Sequence, residues 1–225
     1  MKKRTLRVTG KGKLSLTPDT VQLLMHLNDT DPDYGKVVKD STEHAQSLKE
    51  ALMTLDFEAS DLKTTSFQVN AEYESYRDEN DNWKERFVGY RAMHTLKLSF
   101  PRDKDRLGKV LFLVAGHASK PEFHLEYTVA DPEKAKNELL ANAVADSRIK
   151  ADVLAKAADV TLGEILSIDY SWGEIDLVTR PVMLRETNGI QALAKSAAME
   201  DSLNLDIEPD DIKVEDTVTV IWELE

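Results

Sequence analysis

Two stretches of the chain carry the same device: an Asp-Pro pair, a long run with helical spacing, then strand-like alternation. The first is DPDYGKVVKDSTEHAQSLKEALMTLD, starting at Asp31; the second opens at Asp131-Pro132-Glu133 and runs to about Asp159. Aspartate is a strong N-cap because its carboxylate accepts from the exposed N–H groups of the first turn. Proline suits the first helical position, where a missing N–H costs nothing. In the first helix Tyr34, Val38, Ser41, Ala45, Leu48, Leu52 and Leu55 fall three or four apart and predict one buried stripe. In the second the predicted stripe is Leu140, Val144, Ser147, Ala151, Leu154 and Ala158, whose small members permit close approach to a sheet. A shorter helix between them puts Leu107, Val110, Leu111 and Val114 in register and ends near Gly116.

The remaining apolar residues alternate, which is the signature of half-buried strands. Leu6 and Val8 lead to Leu14 and Leu16; after a turn at Pro18-Asp19 come Val21, Leu23, Met25 and Leu27. Two strands joined by the polar connection RDENDNW follow, with Phe67, Val69, Ala71 and Tyr73 on one and Val88, Tyr90, Ala92, Leu96, Leu98 and Phe100 on the other. Each set shares one face of its strand, and the second is predicted to point inward. Later strands carry Phe123, Leu125, Tyr127 and Val129, then Leu166, Ile168, Tyr170 and Trp172, and finally Val214, Val218, Val220, Trp222 and Leu224. The pattern predicts an α+β fold: mixed, largely antiparallel sheets with long helices packed on them. It reads as a single domain over 1–225 built of two similar β-α-β halves, about 1–100 and 101–225. Between 179 and 210 the periodicity fades, and a mobile insertion, ordered only against a neighbouring subunit, is expected there.

Charge narrows the function classes. Lys and Arg number 29 against 41 Asp and Glu, a net charge of −12 that repels phosphate backbones and anionic lipid. No nucleic-acid partner is expected. There is no cysteine, so disulfides, thiolate nucleophiles and zinc-thiolate sites are excluded together. No apolar run approaches the ~20 residues of a membrane-spanning helix, so no membrane insertion is expected. The start Lys2-Lys3-Arg4 is followed by Thr9-Gly10-Lys11-Gly12-Lys13 and not by an apolar signal core. As written the sequence predicts a soluble, cytoplasmic protein, or an exported one if a native leader has been removed.

The motif TGKGK raises the question of a phosphate loop. A Walker-type loop needs four residues between its first glycine and Gly-Lys-Ser/Thr, followed by a helix. Here the spacing differs and a strand follows, so Gly10 and Gly12 are predicted to permit a bulge or tight bend. The histidines, His26, His44, His94, His117 and His124, are scattered, and none pairs at a helical zinc spacing. Glu122, His124 and Glu126 share one strand face and would suit a divalent ion if a neighbouring strand added a ligand; the ordinary alternative is a solvated strand face. His94 reads as a hydrogen-bonded core histidine. Tyr73, Tyr76 and Trp83 near the hairpin suggest an aromatic patch, although Tyr73 shares its parity with core residues. No catalytic, cofactor-binding or metal-ligating set is expected.

Taken in order, VTGKGKLSLTPDTVQL, LKTTSFQVNAEY, VGYRAMHTLKLSF, NAVADSRIKADVLAKAADVTLGEILSI and IKVEDTVTVIWEL resemble the SIMPL-domain family. The resemblance spans nearly the whole chain and includes Gly89-Tyr90 and Leu162-Gly163. It implies a mixed α+β protomer that self-associates into homo-oligomers, sometimes ring-like, with Gly-x-Gly as a strand feature. It implies no catalytic residue set, and a loose link to envelope and oxidative-stress physiology. The function expected is therefore non-enzymatic, through homo-oligomeric assembly or partner binding. The alternatives are a small-ligand-binding protein or enzyme with a pocket between the halves, and a weak divalent-metal binder using Glu122, His124 and Glu126.

Overall fold

Alternation does set the strands, and the computed structural model describes residues 4–170, 175–179, 182–183 and 208–225. The elements run β1 (Arg4–Leu16), β2 (Thr20–Asp31), α1 (Tyr34–Met53), β3 (Leu62–Arg77), β4 (Trp83–Pro101), α2 (Lys104–Gly116), β5 (Glu122–Thr128), α3 (Pro132–Ala157), β6 (Leu162–Asp169), β7 (Val182–Met183) and β8 (Ile212–Leu224). They form a three-stranded sheet in the order β1-β8-β6 and a five-stranded sheet in the order β3-β4-β2-β5-β7. The pairs β1/β8, β2/β4, β3/β4, β5/β7 and β6/β8 are antiparallel. This is the α+β class expected. The insertion expected at 179–210 falls largely outside the described residues.

The chain divides into two units interleaved along the sequence, one of residues 1–19, 128–179 and 209–225, the other of 20–127 and 180–208. A cut near residue 100 does not describe it. The reason lies in β1, which pairs along its whole length with β8 at the far end of the chain, from Arg4 opposite Leu224 to Leu16 opposite Ile212.

That register is unbroken, so Gly10 and Gly12 make no bulge, and neither has positive φ. The expectation of a bend is corrected by what lies above them. A Cβ on Gly10 would sit 2.0 Å from the Ala143 carbonyl oxygen, and one on Gly12 2.1 Å from that of Leu139. The glycines exist so that the α3 backbone can lie directly on the strand. For the same reason the buried stripe of α3 is Ala135, Leu139, Ala143, Ser147, Ala151 and Ala155, a strict four-residue repeat of mostly small side chains. The predicted Leu140, Val144 and Leu154 belong to the flanks, and Leu154 is exposed. Bulk cannot fit where backbone meets backbone.

The contact also occupies part of one sheet edge. Asp146 on α3 accepts from the Lys11 N–H at 2.6 Å, and Lys150 donates to the Thr9 carbonyl at 3.2 Å. Outward groups bonded in this way are not open to a further strand. Lys150, and then the Lys11 N–H, hold the Asp146 carboxyl below its ordinary range. At the other edge, β6 exposes Ile165, Leu166 and Ile168.

In the second unit α1 packs on β2 and β4. Val21, Leu23, Met25 and Leu27 meet Leu96, Leu98 and Phe100 beneath Leu48, Leu52, Val110, Leu111 and Val114. The α1 N-cap is Asp33, which accepts from the Lys36 N–H at 2.8 Å, and not Asp31. Residue 31 is still strand, paired with Tyr90, and its carboxylate instead accepts from the Asp33 N–H at 2.9 Å. In α3 the predicted cap Asp131 and the first-turn Pro132 are observed. The set Phe67 to Tyr73 does not point into a core: β3 lies at the sheet edge, beyond the β2 and β4 surface that α1 covers, and Phe67 and Tyr73 are exposed.

Candidate functional site

Strand lengths create the most prominent surface of this unit. β2 ends opposite Tyr90, but β3 and β4 continue past it as a two-stranded ribbon from Glu72 opposite Gly89 to Arg77 opposite Trp83. At its base the register shifts between Glu72 and Tyr73, so that Val88 is the extra residue. Gly89, at φ +152°, makes this possible: a Cβ there would come within 2.9 Å of the Asp31 carbonyl oxygen. At the tip, Asp78 accepts from the N–H groups of Asn80 and Asn82 at 2.9 and 3.0 Å and pairs with Lys84 at 2.8 Å. Lys84 first, and the Asn82 N–H next, keep its carboxyl below the usual range.

Residues opposite each other across a ribbon share a face. Tyr73 opposes Phe87 and Arg77 opposes Trp83, so one face is aromatic. Tyr73 meets Phe87 edge-on at 5.8 Å, Phe87 meets Tyr90 at 5.1 Å, Tyr90 meets Tyr34 at 5.3 Å, and the Arg77 guanidinium lies 4.9 Å over Trp83. The other face holds the Glu74–Arg86 ion pair and Tyr76 beside Arg86. Tyr76 therefore belongs to the ionic face, and Tyr73 and Trp83 to the aromatic one. Phe87 and Tyr34 complete a row that strand parity alone did not reveal.

A second cluster lies between α1 and the sheet. His44 Nδ1 is 2.6 Å from Asp29 Oδ1, and His94 Nε2 is 2.8 Å from Thr64 Oγ1. Asp29 Oδ2, Ser41 Oγ and His94 Nδ1 are buried without a hydrogen-bond partner in the protein. His94 is thus half-buried and bonded through one nitrogen, near its predicted role. Burial holds its pKa below 6.5, opposed in part by the Ser41 backbone and the Asp29 charge. His26 is lowered by burial and by His124, against Glu122.

Because both histidines bind their proton less readily when folded, the unfolded chain holds more protons just below pH 6.5. Stability then rises with pH up to about 6.5 and is lost as pH falls toward the folded values. A His26→Gln/His94→Gln double variant is expected to flatten the unfolding midpoint between about pH 5 and 6.5. An unchanged slope would show that these two groups do not set it.

Glu122, His124 and Glu126 do lie on one strand, but among the described residues no three His, Asp or Glu side chains are placed to hold a metal. Two clefts lined by described residues are small. One of about 210 Å³ is lined by Asp31, Glu72 and Tyr90, another of about 260 Å³ by Lys13 and Glu215, whereas small-molecule sites run to roughly 300–1,000 Å³. No helix among the described residues is long and apolar enough to cross a membrane.

These features define an α+β protein of two helix-on-sheet units whose most exposed chemistry is a surface. The chain belongs to the SIMPL family, described as a protein of unknown function (DUF541), which it matches over residues 6–222. It is 26% identical over 179 residues to the 26 kDa periplasmic immunogenic protein of Brucella melitensis, covering 79% of this chain and 68% of that one. The 26 kDa periplasmic immunogenic protein of Brucella abortus shows the same identity and coverage. The uncharacterized protein YggE of Edwardsiella ictaluri is 23% identical over 162 residues, 72% of this chain and 66% of its own.

Proposed function

We propose that this is a non-enzymatic protein that works by self-association, with the aromatic face of the β3–β4 ribbon as its contact surface. One observation carries the reading. Trp83, Tyr73 and Phe87 on the ribbon and Tyr34 on α1 beside its base are 67%, 60%, 45% and 55% exposed, on a face with no second layer over the ribbon among the described residues. An isolated two-stranded ribbon is marginal in water, and exposed aromatic rows of this kind mark protein contacts. Aromatic side chains bring large contact area at little entropic cost, which a chain with net charge −12 needs in order to meet its own copy. The names of the Brucella relatives place them in the periplasm, and we infer the same compartment for this chain; the cytoplasmic expectation finds no support among them.

Tyr73→Ser/Trp83→Ser/Phe87→Ser removes the row and leaves the cores intact. Light scattering is expected to give the parent a multiple of the single-chain mass and this variant a smaller particle, with little change in unfolding midpoint. A variant that assembles like the parent would rule the ribbon out as the contact.

A further inference from the structure

On the sheet face opposite the core of the second unit, β2 and β5 bring together two histidines 98 residues apart: His26 Nε2 lies 3.4 Å from His124 Nδ1. We propose that His26 and His124 form a two-imidazole site for a divalent transition ion of the zinc or copper class, with these two facing nitrogens as its ligands. Three observations converge on it.

The first is spacing. Two Zn–N bonds of about 2.0–2.1 Å at a tetrahedral angle place their nitrogens about 3.3–3.4 Å apart. The facing nitrogens already stand near that separation in rings stacked with planes inclined by 24° and centroids 5.3 Å apart, and ring rotation about the side-chain torsions is what turns both lone pairs onto one ion.

The second is the outer shell. The far nitrogen of each ring faces an oxygen: Thr95 Oγ1 is 3.1 Å from His26 Nδ1, and Glu126 Oε1 is 3.5 Å from His124 Nε2. Glu126 favours the proton on His124 Nε2, which leaves a lone pair at Nδ1. The Thr95 hydroxyl can accept from His26 Nδ1–H, which leaves a lone pair at Nε2. Metal-bound histidines are oriented in this way by their second partners. Glu126, in the sequence only a conditional ligand candidate, is placed here to support one.

The third is preorganisation and charge. His26 stands on a strand paired with β4 from Thr20 to Asp31, so its backbone is fixed. Glu122, on the same strand as His124, adds negative charge near His26. With each ring carrying its proton on the far nitrogen, an ion between the rings meets two lone pairs and displaces no proton. With two protein nitrogens, the remaining positions fall to water, which makes the site open and exchangeable. Imidazole ligands select zinc, copper and nickel over magnesium and calcium.

The test is calorimetric titration of the tag-free full chain with zinc chloride, and separately with magnesium chloride, in a non-chelating buffer. One zinc per chain and no magnesium binding are expected, with affinity weakened about tenfold or more in His26→Gln and in His124→Gln. His44→Gln should bind as the parent does. Imidazole nitrogen resonances of the parent provide a readout independent of any variant's folding: zinc should move those of His26 and His124 and leave the other histidines in place. A parent that takes up no zinc, glutamine variants that bind as well as the parent, or shifts confined to other histidines would overturn the site.

Discussion

Gly10→Ala is expected to destabilise the protein by about 3 kcal/mol or more, at the upper end of overpacking effects. The added methyl would lie 2.0 Å from the Ala143 carbonyl oxygen and 2.6 Å from the Ser147 backbone nitrogen. Both are backbone atoms of a 26-residue helix, so no rotamer change relieves the clash. The helix must lift from β1, and with it go the Asp146 and Lys150 contacts to the strand's outward groups. Gly116→Ala is the matched control, because a Cβ there meets nothing within 4 Å. Urea unfolding should separate the two variants clearly. Equal midpoints for Gly10→Ala and the parent would mean that α3 does not sit on β1 as described.

Ala151→Leu attacks the same interface from the helix side. Ala151 is fully buried in the small-residue repeat, within the cluster of Val8, Val218, Val220 and Trp222. Three extra carbons there force side chains off their rotamers or the helix off the sheet, and the expected loss is about 1–3 kcal/mol. Val153→Leu, on an exposed position two residues along, should change stability by less than about 0.5 kcal/mol. If Ala151→Leu unfolds at the parent's midpoint, this face of α3 lies elsewhere.

Sequence patterning made the elements legible, because periods of 2 and 3.6 are properties of single segments. The α3 cap at Asp131 and the core positions of β2 were readable for that reason. What patterning could not supply was the identity of each neighbour. Gly10 and Gly12 looked like a bend until α3 was seen to occupy the space above them. Tyr73 carries core parity, but parity states only which residues share a face; α1 covers β2 and β4 and leaves Tyr73 exposed. His26 stood alone in sequence and meets His124 only because sheet order places β5 beside β2. Strand order is a long-range property, and the one local hint was that His26 falls on the parity opposite Leu23, Met25 and Leu27.

The central claim is that copies of this chain meet through the aromatic face of the ribbon. Amide hydrogen exchange on peptides spanning residues 72–90, followed across a dilution series of the full-length protein, tests it most directly. Those peptides are expected to exchange slowly at high concentration and faster as the particle dissociates, while peptides from β2 and α2 stay protected throughout. Ribbon exchange that is fast and independent of concentration, in a protein that remains assembled, would contradict it.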